Sequence, residues 1–496
     1  MASRPPVHPQ FRRFAPSEYV GCKPLHSNRD RDFSGFSGEC QSSHSRVQFA
    51  RVVNLSICHA TVEGLDTVVW IQPVSQTDQT YDIVIWGATG IAGNLVAEYL
   101  TEQYTPNDLS LALGGRNESK LDRVESTLVK RRADWDEIPI ALGDATDAES
   151  LRPIVKDTQV ICTTVGPYTS YGTPLVEECV AAGTDYCDLT GEINWVREMI
   201  DRYHDDAVEA GARIIHSCGF DSIPTDIGTL LVQSFGMETY DTPCDIVRVY
   251  LEESRGGVSG GTLASFAEVF QAASEDPLVQ QTLRNPYSLA PQGERDGVDP
   301  GAQTSVKNDP LRAEWTAPSP MAMINERVVR RSNALLGYPW GSEFECTEVM
   351  PMGDGISGLL QAGAISAGLG LATAGLSFGP TRQGLRQFVF PDPGEGPSRE
   401  MIEEGYFTVR VLGRGTADRG SFVVESEISA DRDPGYGATS RMLSEAAMCL
   451  LREETDSPLT GGILTPASGI GKPLADRLRK AGFTIEVGQS ERQILH

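Results

Sequence analysis

Tyr81-Asp-Ile-Val-Ile-Trp-Gly-Ala-Thr-Gly-Ile-Ala-Gly-Asn-Leu-Val-Ala-Glu-Tyr-Leu100 joins an apolar run, a glycine turn and a helical pattern. Ile83, Val84 and Ile85 are apolar in succession, as a central parallel strand covered on both faces requires. Gly87, Gly90 and Gly93 recur at every third place. The first permits a tight exit from the strand. The second leaves room for a pyrophosphate at the backbone, and the third lets the helix pack close. A helix over 91–100 aims its free N–H groups and its positive dipole end at the same point. The stretch therefore predicts a dinucleotide cradle built from Gly87, Ala88, Thr89, Gly90, Ile91 and Gly93.

The following segments extend the pattern. A second strand is predicted over 109–113, and Arg116 stands where NAD-binding domains carry an acidic residue for the ribose. A guanidinium there pairs with a 2′-phosphate and stacks on adenine, so the expected cofactor is NADP(H). Lys120 either adds a second positive charge or is a solvated helix residue. A third strand over 138–142 ends at Asp144, which either bonds the adenine amino group or caps the helix predicted over 148–155. A fourth strand over 160–165 ends in Val165, Gly166 and Pro167, expected beside the nicotinamide half. Together these strands predict an α/β fold, a doubly wound parallel sheet of the Rossmann type, spanning about 80–235. Strand-like pieces at 245–251, 407–412 and 421–429 predict a second α+β domain over 236–460 with a mostly antiparallel sheet. The stretch 287–318, rich in Pro, Gly, Asp and Asn, reads as a long loop.

A net charge of −26 excludes the basic face that nucleic-acid binding needs. An acidic, lysine-poor surface suits high salt, where self-repulsion is screened, or belongs to an ordinary acidic enzyme. The ten cysteines include no Cys-x-x-Cys pair and none at metal-ligand spacing with histidine. No metal site is expected. Buried free thiols fit a reducing cytoplasm. No secretory pattern opens the chain.

Residues 1–76 differ from the rest: four of the seven histidines lie there, and Ser, Arg and Pro abound. They are expected to be a disordered or mis-assigned N-terminal extension. At the other end, 461–496 reads as a loop and an amphipathic helix. Residues 356–378 carry no charge and are long enough to span a bilayer. Three readings fit: a buried or interface helix pair, a membrane-surface or lipid-tunnel segment, and a spanning helix.

Gly87-Ala-Thr-Gly-Ile-Ala-Gly93, Gly115-Arg116, Val165-Gly-Pro-Tyr168, Tyr171-Gly172, Asp188-Leu-Thr-Gly-Glu192 and Cys218-Gly-Phe-Asp-Ser-Ile-Pro224 follow in order. In these motifs, and in Ser259-Gly-Gly-Thr262 and Leu464-Thr-Pro-Ala467, the chain resembles the saccharopine dehydrogenase-like oxidoreductases, most of all their trans-acting enoyl reductase branch. The resemblance covers about 80–485. It implies an NADP-binding Rossmann domain, a second α+β domain and a C-terminal helix returning to the first. It also implies reduction of enoyl or related bonds in a small, lipid-like substrate, with glycolipid biosynthesis and peripheral membrane association as its setting. A homodimer is a further expectation. True saccharopine-type enzymes act on charged amino acids and need a cationic pocket; no arginine cluster outside the cofactor site is evident.

Hydride chemistry belongs to the cofactor, and the protein supplies orientation and a proton. From residue 80 onward no tyrosine is followed four places later by lysine, which disfavours the short-chain dehydrogenase mechanism. Three residues at strand ends are the catalytic candidates. Tyr168 is either the proton donor or a tyrosine packed under its turn. Asp188, with Thr190 and Glu192, either orients ligand or caps a helix. Asp221 is either a site carboxylate or a loop-fixing acceptor. His204 and His216 read as structural. A protein that binds NADP without turnover is the alternative from another class.

If the gene start is set too early, with Val74 as the native beginning, mass spectrometry of the native protein will find no peptide from residues 1–70. Such peptides refute this reading.

Overall fold

A computed structural model of the chain describes residues 37–42, 45–52, 55–62, 65–71, 79–256, 260–388, 396–418 and 420–490. The chain divides into two compact units, Met1–Asp78 and Gln79–His496. In the first, β1 (Ser37–Ser42), β2 (Ser45–Val52), β3 (Leu55–Val62) and β4 (Leu65–Ile71) pair antiparallel in chain order. Disorder is expected there from composition; β-branched runs such as 67–71 instead suit strands. Residues 1–36 lie outside the described residues.

The second unit begins as the glycine stretch predicts. β5 (Tyr81–Trp86), α1 (Ile91–Gln103), β6 (Leu111–Gly115), α2 (Glu118–Arg131), β7 (Ile140–Leu142), α3 (Ala148–Lys156) and β8 (Thr158–Thr163) alternate strictly. A short turn of helix α4 (Tyr168–Tyr171) leads into α5 (Thr173–Ala182), β9 (Asp185–Cys187), α6 (Ile193–Ala210), β10 (Arg213–Ile215) and α7 (Ile223–Tyr240). The next part comprises β11 (Ile246–Arg255), α8 (Gly260–Glu275), α9 (Pro277–Arg284), β12 (Lys307–Asp309), β13 (Glu314–Pro318), α10 (Ala322–Leu335) and β14 (Glu345–Pro351). It continues with α11 (Gly355–Ser377), α12 (Gly379–Phe388), α13 (Arg399–Glu404), β15 (Tyr406–Ala417) and β16 (Gly420–Ala430). A π-helical turn, Pro434–Ala438, opens α14 (Thr439–Leu451). The end is β17 (Gly462–Leu464), α15 (Pro466–Gly469), α16 (Lys472–Lys480) and β18 (Thr484–Gln489).

The first large sheet is entirely parallel, in the order β17-β10-β9-β8-β5-β6-β7. Its order reverses between β5 and β8, the topological switch point of a doubly wound fold. Ile83 and Ile85 pack to one side with α1, α2, α7, α14 and α16. Val84 and Trp86 pack to the other with α3, α5 and α6. This period-two division is why the strand reads as a continuous apolar run. The second large sheet, β12-β13-β14-β11-β15-β16-β18, is mixed: β11 and β14 are parallel, and its other pairings are antiparallel. Helix α7 is buried between the two sheets, sharing one core with Val247, Val249, Val409, Val411, Val424 and Ile428.

Three expectations are corrected. The C-terminal segment does more than return as a helix: β17 adds the seventh strand of the nucleotide sheet, and β18 closes the edge of the mixed sheet. The loop expected over 287–318 ends in β12 and β13, which pair with each other. The uncharged segment is one helix, α11, and not a buried pair. Only Gly358 and Ala362 of it are buried, while Ile356, Leu360 and Leu371 are 77%, 67% and 75% exposed. Apolar residues on all sides leave no stripe to turn inward. It is the helix of the described residues long and apolar enough to cross a membrane.

Candidate active site and cofactor cradle

The carboxyl ends of β5, β6, β8, β9 and β10 carry the predicted site residues. Gly87 has φ +92°, and a Cβ there would meet Val165 Cγ2 at 2.6 Å. The cradle loop and the Val165 loop therefore touch. A Cβ at Gly93 would lie 2.3 Å from the Gly87 carbonyl oxygen, so α1 packs directly on the loop. At Gly90 the nearest heavy atom to such a Cβ is the Gly87 oxygen at 3.4 Å. That position alone of the three is open, and Thr89 and Gly90 are exposed while Ala88 is buried. No acidic residue stands in the first turn of α1, so its dipole is free to meet an anion. Ile91 lies under Gly396, whose Cβ would fall 2.5 Å from Ile91 Cδ1. The Gly166–Pro167 bond is cis.

Arg116 is exposed and makes no ion pair or hydrogen bond among the described residues. Asn117 is engaged as the cap of α2, accepting from Lys120 N–H at 3.0 Å. Asp144 is not the cap of α3. Its Oδ1 accepts from Thr146 N–H at 2.9 Å and Thr146 Oγ1 at 2.7 Å. These bonds, with Arg116 nearby, hold its carboxyl below the usual range. The cap of α3 is Asp147 instead. No hydrogen bond to Asp144 Oδ2 exists among the described residues.

The three catalytic candidates separate by engagement. Tyr168 is buried against Trp195, ring centroids 5.4 Å apart. Its hydroxyl accepts from Leu189 N–H at 3.2 Å and faces the Thr163 carbonyl at 3.4 Å. Burial, then the Asp188 charge, push its pKa far above 10. These contacts fit the packed reading, a tyrosine that braces its turn. Asp188 is fully buried. It accepts from Thr190 N–H, Ser217 N–H and Tyr186 Oη at 3.0, 3.1 and 2.9 Å. Its Oδ2 also meets His216 Nδ1 at 2.7 Å. Asp188 therefore clamps the ends of β9 and β10, and both its oxygens are engaged within the chain. Glu192 likewise caps α4, accepting from Tyr168 and Thr169 N–H groups at 2.8 Å each.

Asp221 differs. It is partly exposed, and no hydrogen bond to its carboxyl exists among the described residues. Low-dielectric surroundings, reinforced by the Glu348 charge, raise its pKa to about 6. It is the candidate that keeps its proton to a higher pH than an ordinary aspartate, up to about 6. His216 was read as structural from sequence alone; its Nε2 is nonetheless buried without a protein partner, a feature no spacing reveals. Cys162, Cys179, Cys187, Cys218, Cys244, Cys346 and Cys449 are free and buried, and no metal-holding group occurs among the described residues. Ser259, part of a motif noted in the sequence, lies outside the described residues.

The family model of the saccharopine dehydrogenase NADP binding domain matches residues 83–215. A Mycobacterium tuberculosis relative carrying the trans-acting enoyl reductase name is 38% identical over 434 residues, covering 83% of this chain and 99% of that protein. The trans-acting enoyl reductase of Mycobacterium bovis is 36% identical over 428 residues, with the same coverage. The chain belongs to the trans-acting enoyl reductase family. Among solved structures, apo saccharopine dehydrogenase (L-Glu forming) from Saccharomyces cerevisiae is similar at 13% identity and a TM-score of 0.47, covering 83% of this chain and all of that one.

This family member is an oxidoreductase whose cofactor is NADP(H). Its own geometry fits that group: an open glycine over a helix start, and an unengaged guanidinium one strand away. A charged hydrogen-bonded pair contributes about 1.5–3 kcal/mol. Arg116→Ala is therefore expected to weaken NADPH binding about 10- to 100-fold and to leave NADH binding nearly unchanged, measured by titration calorimetry in concentrated KCl. Equal losses for both coenzymes would remove Arg116 from the 2′-phosphate.

Proposed function

We propose that this protein reduces the C=C bond of an enoyl group in a lipid-like acyl substrate with NADPH, and that Asp221 supplies the proton. One observation carries the reading: a partly exposed carboxyl with a pKa of about 6 follows β10, at the same carboxyl edge of the sheet from which the cradle loop leaves β5. When bound, reduced NADP supplies the hydride. The chain then has to deliver one proton to the other carbon, and Asp221 holds it. The curated relatives named trans-acting enoyl reductase support this choice of bond.

The amino-acid-linked alternative needs free cations. An arginine cluster does exist on α10, contrary to the sequence reading, but it faces inward. Arg330 pairs with Asp299 at 2.7 Å and Glu326 at 3.1 Å. Arg327 donates to the Leu283, Asn285 and Met323 carbonyls, and Arg331 to those of Leu289 and Ile463. None is left to bind a substrate carboxylate.

A donor must carry its proton, so activity is expected to fall as pH rises through about 6. Asp221→Asn removes that limb and lowers kcat by about 10²–10⁴-fold, read as NADPH oxidation with an α,β-unsaturated acyl thioester. Turnover with lysine and 2-oxoglutarate but not with the thioester sinks the enoyl reading.

The exposed helix α11 supports a peripheral position on a lipid surface, from which an acyl chain reaches a cytoplasmic enzyme. A chain of charge −26 is repelled by anionic lipid, so binding must come from apolar burial, about 1.5–3 kcal/mol per large side chain. Co-flotation with zwitterionic phosphatidylcholine vesicles is expected for the native protein and not for Leu360→Glu/Leu371→Glu. If the native protein stays unbound and the double variant instead splits a dimer in analytical ultracentrifugation, α11 is a subunit interface.

A further inference from the structure

Asp221 sits in the turn between β10 and α7, and that turn is held from outside the nucleotide sheet. Phe220 N–H donates to Thr439 Oγ1 at 3.0 Å. Ser222 Oγ meets Asn325 Oδ1 at 3.1 Å. The Asn325 amide donates to Glu348 Oε2 at 2.6 Å, and Thr225 Oγ1 donates to the same oxygen at 2.7 Å. Ser319 Oγ donates to Oε1 at 2.6 Å. Glu348 is thus a buried carboxylate of β14 whose side-chain partners, Thr225, Asn325 and Ser319, are neutral donors. No ion pair to Glu348 exists among the described residues. The nearby cation, Arg330, is engaged by Asp299 and Glu326. Glu326 accepts from Glu348 N–H at 3.0 Å rather than neutralising it. Burial pushes the Glu348 pKa up, and its three hydrogen bonds work against that by favouring the ionised form. Once ionised, Glu348 is the charged group that acts on Asp221.

On the reading that Asp221 gives the proton, we propose that Glu348 is a positioning residue for the reaction: through Asn325 and Thr225 it fixes the Asp221 turn, and its negative charge disfavours a second one on Asp221. Ionising Asp221 in the resting enzyme places a second negative charge near one that no cation offsets. Below about pH 6 the carboxyl keeps its proton, and in turnover that proton passes to a substrate carbanion or enolate. The O–H bond of Asp221 breaks, a C–H or O–H bond forms on substrate, and the resulting carboxylate is reprotonated from water. Because Glu348 belongs to the mixed sheet and Asp221 to the nucleotide sheet, the donor exists only where the two sheets are packed together.

The test does not depend on knowing the substrate. Full-length protein labelled with ¹³C in aspartate carboxyls is titrated by NMR, and Asp221 is assigned by the signal lost in Asp221→Asn. In the native protein its midpoint is expected near 6. In Glu348→Gln, which keeps the side-chain shape and removes the charge, the midpoint is expected to fall by on the order of one pH unit. Thr225→Val, a change of nearly equal volume, is expected to move it in the same direction by less and serves if Glu348→Gln does not fold. An Asp221 midpoint unchanged by both variants overturns the proposal. The pH profile of thioester reduction separates the two readings. If Asp221→Asn removes the limb and Glu348→Gln leaves it in place, the role of Glu348 alone fails. If Asp221→Asn keeps both rate and limb, the donor assignment fails with it.

Discussion

Helix α7 has almost no outer face, and this constraint organises the molecule. From Ile223 to Leu230 nearly every side chain is buried between the two sheets. Water therefore cannot satisfy its polar groups, and the chain must do so. Thr225 turns to Glu348 of the mixed sheet. Asp226, whose pKa burial raises to about 6, accepts from Ser332 at 2.6 Å and from Ala467 N–H at 2.8 Å. Gln233 closes a pair of bonds with the Cys244 backbone. One helix thus ties together α10, the mixed sheet and the C-terminal segment, and it begins where the candidate proton donor stands.

The same demand accounts for the inward arginines of α10. A guanidinium in the interior is tolerated when carboxylates or carbonyls meet its donors. Arg330 has Asp299 and Glu326; Arg331, with fewer acidic neighbours, has its pKa lowered by burial to about 9. Each links distant chain segments, including the Ile463 carbonyl of the last strand in the nucleotide sheet. These groups fix geometry and leave the cleft without spare positive charge except near Arg116.

What the sequence made legible was local. The glycine triplet, the apolar run before it and the alternation through β10 depend on residues a few places apart, and their boundaries agree with the structure to within about three residues. Long-range pairing was not legible. Nothing near Gly462–Leu464 names β10 as its neighbour, and the short run 307–309 lacks any periodicity. Site roles were half legible. Spacing put Tyr168, Asp188 and Asp221 at strand ends alike. Which of them stays unengaged was decided by Leu189 N–H, Ser217 N–H and Glu348, contacts that spacing does not encode. The arginine cluster had a visible signal, Arg327-Val-Val-Arg330-Arg331, but its partners Asp299 and Glu326 gain meaning only after folding.

The late arrival of β17 bears on how the protein is made. β10 leaves the ribosome long before Gly462 does, and until then its outer edge presents bare backbone N–H and C=O groups. The nascent nucleotide sheet must wait, unsealed on that side, while the whole mixed-sheet region is translated. Synthesis of the last stretch both supplies the missing strand and, through Ala467, the partner for Asp226. Premature termination anywhere before 462 therefore yields a chain with an open sheet edge, a template for aggregation and a substrate for quality-control proteases.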